Sequence, residues 1–264
     1  MSVTSVIETL NLKNVRNAII VMSGKGGVGK SFVATSLAIA LKNLGYSVAI
    51  LDADIHGPSV PWILGIENSL MGASIEGNLV PQEVDGIAVA SFELLLSQKY
   101  NPIAWRGPLK TRAIIELVTK TMWGNRDFMV VDMPPGTGDE HLTIIHTLRS
   151  IVRGALLVLT PGNLVAHIVN KVRLFLKNTN VDLLGAILNM SYFRCPVCGS
   201  THKIYGEINL SETPILAELP IKPELSHALN EGKLLEYLQK QDKDLLTVFI
   251  NLCYNILGRL EHNT

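Results

Sequence analysis

The sequence is poor in the features that mark special classes of protein. Its 264 residues include three cysteines, too few and odd in number for a disulfide framework, so a reducing cytoplasm is the expected compartment. Excess charge of either sign is absent: 23 Lys and Arg stand against 23 Asp and Glu. A chain that tracks a nucleic-acid backbone needs a basic face, so no nucleic-acid partner is expected. No apolar run approaches the ~20 residues that span a bilayer. The opening MSVTSVIETLNLKNVRN lacks a signal-peptide core, and no membrane partner is expected. Internal repeats, low-complexity tracts and long linkers are missing too. Charged residues are 17% against 47% hydrophobic, which excludes a disordered chain. The mean hydropathy of +0.28 predicts a deep core and a buried subunit interface. The length fits one large domain.

What is present is an alternation of short apolar runs with helical stretches. Residues 18–22 (AIIVM), 47–51, 128–131, 154–159 and 184–188 read as buried strands. Helical spacing covers 30–44, ending at Gly45, and 110–122, 139–150 and 164–178. Continuous apolar strands separated by helices predict an α/β fold, a mostly parallel sheet with helices on both faces. Segment 70–92, with Gly77-Asn78 and Pro81, predicts a small inserted hairpin. In 242–261, Leu245, Val248, Phe249, Leu252, Ile256 and Leu260 share one face of an amphipathic helix. Cys253 falls on that apolar side and reads as core.

Residues 24–31, Gly24-Lys25-Gly26-Gly27-Val28-Gly29-Lys30-Ser31, match G-x-x-x-x-G-K-[ST] between a strand and a helix. Glycines let successive backbone N–H groups turn inward around phosphate oxygens, and the helix N-terminus adds positive partial charge. In such a loop Lys30 reaches the β- and γ-phosphates and Ser31 presents its hydroxyl to Mg²⁺. Gly24, Gly26 and Gly29 also satisfy G-x-G-x-x-G, with Asp52 after the next strand, so a hydride-transfer enzyme is a rival. Lys30-Ser31 decides against it, because a dinucleotide motif needs neither residue. Asp132, after the later strand FMVV, stands where a Walker-B aspartate would complete the Mg²⁺ shell. The reading is a P-loop NTPase with ATP and Mg²⁺ as cofactors. Lys25, a second lysine in the loop, defines the deviant Walker A form. Phosphoryl transfer spreads negative charge that an extra cation stabilises.

Two further segments resemble switches. Strand alternation sends Asp52 and Asp54 to one side. There one carboxylate can orient a Mg²⁺-bound water and the other the attacking water. His56 is given no role. In Asp132-Met133-Pro134-Pro135-Gly136-Thr137-Gly138, the glycines let a backbone N–H, expected at Gly136, approach a γ-phosphate and withdraw after hydrolysis. The prolines stiffen the flanks.

Cys195-Pro196-Val197-Cys198-Gly199 is a chelating half-site. Tetrahedral Zn²⁺ or a [4Fe–4S] cluster takes four ligands. With Cys253 in the core, the arithmetic points to two chains giving two cysteines each, across a symmetry axis. A zinc site with His202 as an extra ligand, a redox dithiol and an idle loop remain open at this point.

Together, VMSGKGGVGKS (21–31), LDADIHGPS (51–59), WRGP (105–108), VVDMPPGTGDEHLT (130–143) and NMSYFRCPVCG (189–199) resemble the Mrp/ApbC/Nbp family of P-loop ATPases, the iron–sulfur cluster carriers. The resemblance implies a homodimer with a labile [4Fe–4S] cluster bridged by Cys195 and Cys198 of both chains and passed to apo iron–sulfur proteins. It implies ATP on 24–31, with Asn189 and the segment at Pro220 touching adenine, and Lys25 reaching the partner's nucleotide. Catalysis would fall to Lys25, Lys30 and Asp54, and Mg²⁺ to Ser31, Asp52 and Asp132. One domain, 1–264, is expected: phosphate loop and first switch at 18–59, Walker B and second switch at 127–143, the Cys-pair loop at 189–206 and a terminal helix at 242–261. It resembles the minimal, archaeal-like form. The chain departs from the family at Thr160-Pro161-Gly162-Asn163 and in a shortened THKIYGEINLSE after the Cys pair.

The alternative is a partition or septum-positioning ATPase with structural zinc at the Cys pair. A membrane-targeting version should end in a basic amphipathic helix. Here Asp242, Asp244 and Glu261 offset Lys243 and Arg259. A nitrogenase-reductase-like protein would space its cysteines widely. In the expected cycle, ATP closes the dimer through Lys25 and the switches at 54–59 and 132–140, changing the geometry around the cysteines, and hydrolysis resets it.

Overall fold

A computed structural model describes residues 10–95, 107–162, 165–206, 208, 210 and 213–262. Strand β1 (Val15–Ser23) runs through the phosphate loop into α1 (Lys30–Asn43), and β2 (Val48–Asp52) follows. A one-turn helix α2 (Val60–Ile63) leads to β3 (Gly72–Ala73), β4 (Leu79–Val80), β5 (Gln82–Val84) and β6 (Ile87–Ser91). Next come α3 (Gly107–Lys120), β7 (Arg126–Asp132), α4 (Asp139–Leu148), β8 (Val152–Leu159), α5 (Val165–Asn178) and β9 (Leu183–Arg194). After β10 (Thr201–His202) and β11 (Ile215–Ile221), the chain forms α6 (Pro223–Asn230), α7 (Leu234–Glu236), a π-helical turn (Tyr237–Gln241) and α8 (Lys243–His262).

The main sheet has the order β10-β9-β8-β1-β7-β2-β6-β5, with β11 also paired to β9. β1, β2, β6, β7, β8, β9 and β11 pair in parallel, and β5 and β10 are antiparallel additions. Alternation along β1 divides the core. Ile19 and Val21 pack with Phe32 and Leu37 of α1 and Phe249 of α8. Ala18, Ile20 and Met22 pack with Ile114, Ile144 and Val172 of α3, α4 and α5. The sheet is therefore covered on both faces, as its unbroken apolar strands require. Helix α1 is buried from Phe32 to Leu41 because it lies between sheet and α8. Phe32 and Phe249 meet edge to face at 5.6 Å between ring centroids.

Three elements differ from the sequence expectation. The hairpin over 70–92 is two hairpins. One, β3–β4, turns at Ser74–Asn78 off the main sheet. The other turns at Asp85-Gly86, both in the left-handed region (φ 50° and 78°), the signature of a type I′ turn. Its second arm, β6, joins the main sheet beside β2 because all five residues, Ile-Ala-Val-Ala-Ser, are buried. Strand β9 runs six residues past Leu188, carrying the chain straight to the Cys pair.

The terminal helix forms as its spacing predicts. Asp242 Oδ1 accepts the Leu245 N–H at 3.1 Å, and its Oδ2 binds Lys222 and the Tyr237 hydroxyl. Cys253 is fully buried, and burial pushes its thiol up to about 12. Among the described residues no helix is long and apolar enough to cross a membrane. Trp105 and Arg106 of the WRGP stretch, Asn163, and Glu207, Asn209, Ser211 and Glu212 of the shortened stretch lie outside the described residues.

Candidate functional site

The parallel strands bring their carboxyl ends to one edge, where open α/β sheets hold ligands. β1 delivers residues 24–31, β2 delivers Asp52 and Asp54, β7 delivers Asp132 and the second switch, and β9 delivers Asn189. A cleft of about 390 Å³ opens there. It is lined by Gly26–Ser31, Asp54, Ser59 and Pro135, and by Trp62, Ile63 and Leu229 at an apolar end. Gly24, Lys25, Asp52, Asp132, Gly136, Asn189 and Pro220 are not on its lining.

The loop's glycines have specific causes. Gly27 and Gly29 are left-handed, φ 76° and 83°. A Cβ on Gly29 would collide with Asn189 Nδ2, and one on Gly24 with the Ile168 side chain of α5. Gly29→Ala therefore combines a disfavoured φ with a clash. It should lower stability by about 1–3 kcal/mol in denaturant unfolding. It should also weaken nucleotide binding about tenfold in a fluorescent-nucleotide titration, the equivalent of about 1.4 kcal/mol.

Behind the cleft wall lies a buried charge cluster. Lys30 Nζ binds Asp132 Oδ1 at 2.5 Å, and the Ser31 hydroxyl donates to Asp132 Oδ2 at 2.5 Å. Register places Asp52 directly beside Asp132 on adjacent strands. Asp52 Oδ2 accepts from the Val60 N–H (3.2 Å) and the Ser91 hydroxyl (3.1 Å). Burial first, then the neighbouring Asp132 charge, pushes the Asp52 carboxyl up to about 8. Burial raises Asp132 too, while the Lys30 ammonium and the Ser31 hydroxyl pull it down. Asp54, in the loop, caps its own turn by accepting the His56 and Gly57 N–H groups at 3.1 Å. Of the two switch carboxylates, Asp54 thus faces the cleft and Asp52 sits behind it. Ser31 Oγ and the Asp132 carboxylate are hard oxygen donors side by side, with a second carboxylate that repels the first. That donor set fits Mg²⁺.

The second switch departs from expectation at one atom. The Gly136 N–H donates to Ser23 O at 2.9 Å, so in this conformation it is held by the end of β1 rather than turned to the cleft. The left-handed Gly136 (φ 91°) permits that inward turn.

His141, to which sequence reasoning gave no role, closes the same arc. Its Nδ1 accepts the Gly138 N–H at 3.1 Å, and its Nε2 lies 2.9 Å from Pro134 O. Both bonds together fix the neutral Nε2–H tautomer. The signal was a histidine three residues after a glycine N-cap. Lys110 of α3 bridges the switches, reaching His56 Nε2 at 2.6 Å and Glu140 Oε1 at 3.3 Å.

Burial holds His141 below the ordinary imidazole range. The unfolded chain takes up its proton near pH 6.5 and the folded chain only lower. This group's contribution is therefore complete above that pH and is lost as pH falls below it. His141→Phe should cost about 1–2 kcal/mol at pH 7.5 through the two lost hydrogen bonds. Its Tm should fall less than the wild type's between pH 7.5 and 5.5.

Asn189 and Pro220, expected at adenine, are occupied otherwise. Asn189 is buried, donating from Nδ2 to Val28 O at 2.9 Å and accepting the Met190 N–H on Oδ1 at 3.0 Å. Pro220 is buried in β11 opposite Tyr192. Here Asn189 clamps the phosphate loop.

Strand β9 ends at Arg194 and the Cys loop follows. Cys195 donates its N–H to Ser200 O, and Gly199 returns to Cys195 O, both at 2.9 Å. Cys195 is half-buried and Cys198 exposed. Cys198 Sγ lies 3.3 Å from Ser200 Oγ, and hydrogen bonding to Ser200 brings its thiol down to about 7. A thiol so readily ionised suits metal ligation. Among the described residues no group of three His, Cys, Asp or Glu side chains is placed to hold a metal, so His202 does not complete such a set here.

A family model described as NUBPL iron-transfer P-loop NTPase, of the ParA group, matches residues 14–257. The cytosolic Fe-S cluster assembly factor Nubp2 homolog of Drosophila ananassae is 42% identical over 221 residues, covering 80% of this chain and 85% of that one. The iron-sulfur cluster carrier protein of Aquifex aeolicus is 36% identical over 244 residues, 90% of this chain and 66% of that one. Among solved structures, the nucleotide-binding protein of Archaeoglobus fulgidus in complex with ADP superposes with a TM-score of 0.77. It is 36% identical, covering 89% of this chain and 94% of that one. The cell division ATPase MinD of Pyrococcus furiosus, at 22% identity and a TM-score of 0.66, shares the fold. With the phosphate loop, the paired aspartates and the Cys pair in place, the chain belongs to the family of iron-transfer P-loop NTPases.

Proposed function

We propose that this chain is an ATP-hydrolysing iron–sulfur cluster carrier. Two copies hold one [4Fe–4S] cluster through Cys195 and Cys198 of each and deliver it to apo-proteins in the cytoplasm. The observation that carries the reading is one strand, β9, with Asn189 clamped on the phosphate loop and a thiol pair, Cys195 half-buried and Cys198 exposed, directly beyond its end. Two thiols per chain make half of a four-ligand site, and relatives named as cluster carriers or assembly factors match most of the chain.

In this reading the loop N–H groups and Lys30 bind the β- and γ-phosphates. Mg²⁺, when bound, neutralises phosphate charge; Ser31 and Asp132 would hold it, with Asp52 behind them. Asp54, on the cleft wall, orients the attacking water. Lys25 is exposed on the rim of the loop, which suits reach toward a partner's nucleotide. Gly136 exchanges its Ser23 partner for the γ-phosphate. Adenine contact by Asn189 would use the amide hydrogen and the Oδ1 lone pair that its bonds to Val28 and Met190 leave over.

The test is cluster delivery. Reconstituted protein is mixed anaerobically with an apo iron–sulfur enzyme, and recovery of that enzyme's activity is followed with and without Mg·ATP. Recovery faster than from free iron and sulfide, and altered by Mg·ATP, is expected. Recovery no faster than from the free ions contradicts the reading.

A further inference from the structure

Strand β9 is interrupted in its pairing with β11. Its first half pairs on both sides, with β8 up to Leu188↔Leu159 and with β11 up to Leu188↔Glu218. Pairing with β11 resumes only at Tyr192↔Pro220. Asn189, Met190 and Ser191 therefore lie opposite the single residue Leu219, a bulge between the nucleotide half and the cysteine half of the strand.

Each bulge residue is tied to something different. Asn189 is interlocked with the phosphate loop: its amide donates to Val28 O and fills the space where Gly29 has no Cβ. The loop cannot shift at Val28–Gly29 without moving that amide. The other end of the same amide holds the Met190 N–H. Met190 is left-handed, φ 57°, a conformation that an unbranched but bulky side chain rarely adopts and that persists only where surroundings enforce it. Ser191 donates to Glu218 Oε2 at 2.5 Å, pinning the far side of the bulge to β11. Four residues later comes Cys195.

We propose that this bulge, with Met190 as its strained centre, is the hinge that couples the phosphate loop to the Cys pair. A movement of Val28–Gly29 pulls Asn189, shifts Met190 between its left-handed state and an extended one, and re-aims the segment 192–198. Coupling between sites calls for a two-state element, and the proposal assigns that part to the strained residue between the two paired ladders. The inference deepens the carrier reading and rests on it for its purpose, though its physical content is only that nucleotide and thiols are linked.

The experiment uses reduced, metal-free protein under anaerobic conditions. Alkylation of Cys195 and Cys198 by iodoacetamide is followed by peptide mass spectrometry, with and without a Mg²⁺-bound non-hydrolysable ATP analogue. Buried Cys253 is the internal control. In the wild type the analogue should change the rate about fivefold or more, the lower end of ordinary coupling between sites. Met190→Gly removes the strain and stiffness at the hinge. It should bind the analogue normally and shrink the change to within about twofold. Ser191→Ala, which frees the far side, should reduce it likewise and carries the test if Met190→Gly does not fold. A change undiminished in the folded variants overturns the hinge, as does a wild type that binds the analogue with no change. Iron–sulfide uptake by the same preparations separates the two readings. Normal uptake without a nucleotide effect removes the hinge and leaves the carrier. A hinge-dependent effect without uptake removes the carrier and leaves the hinge.

Discussion

Cys195→Ala is expected to abolish iron–sulfide uptake and leave nucleotide hydrolysis intact. Wild-type protein reconstituted anaerobically should take up about four iron and four sulfide per dimer, the content of one cubane cluster. Removing one thiol per chain leaves two ligands for a four-ligand group, so retention should fall to background rather than to half. The separation from hydrolysis follows from position. Cys195 lies beyond the end of β9 and makes its backbone bonds within the Cys loop, whereas the charge cluster of Lys30, Asp132 and Asp52 is buried at the start of α1 and the ends of β7 and β2. Cys198→Ala should match it, because both thiols are required. Cys253→Ala should retain full uptake, since that thiol is enclosed between α8 and α1 and held far above its usual range. Tightly held zinc in place of iron and sulfide would make the pair structural.

The converse variant is Lys30→Ala. Lys30 lines the cleft and is the partner of Asp132 at 2.5 Å, with both side chains buried. Hydrolysis should fall by about a thousandfold or more, the usual scale for removing a preorganised charge from a phosphoryl-transfer site. Stability should fall as well. An unpaired buried carboxylate costs about 3–5 kcal/mol, and here Asp132 would face Asp52 without a counter-charge. The double variant Lys30→Ala/Asp132→Asn should recover most of that stability in denaturant unfolding and none of the hydrolysis. Iron–sulfide uptake should survive in both, since neither residue touches the Cys loop. A single variant that hydrolyses ATP at the wild-type rate would remove Lys30 from the chemistry.

Much of the molecule was legible in the sequence because its signals are local. The phosphate loop announces itself by spacing, since glycine is needed at 27 and 29 and a lysine and hydroxyl at 30 and 31. The parallel sheet follows from short, unbroken apolar runs, and the terminal helix from its periodic apolar face. What was not legible depends on contacts distant in sequence. Nothing local says that Ser91 will stand beside Asp52, or that β6 will join the sheet next to β2. The expected end of β9 at Leu188 failed because Asn189, Ser191 and Arg194 are polar in a pattern that reads as loop. Their partners, Val28 and Glu218, are 161 and 27 residues away. His141 was passed over because its value lies in two backbone groups of a folded arc. The Asp85-Gly86 turn was within reach, being a type I′ dipeptide, but the neighbouring Gly77-Asn78 drew the single hairpin to itself.

The central claim is that two chains share one cluster. The most direct measurement is native mass spectrometry of the anaerobically reconstituted protein, with iron and sulfide determined on the same sample. The account predicts a dimer carrying about four iron and four sulfide, and a protein free of both after chelation or in Cys195→Ala. A monomer that retains its iron, or a dimer whose mass and metal content show one zinc per chain, would contradict it.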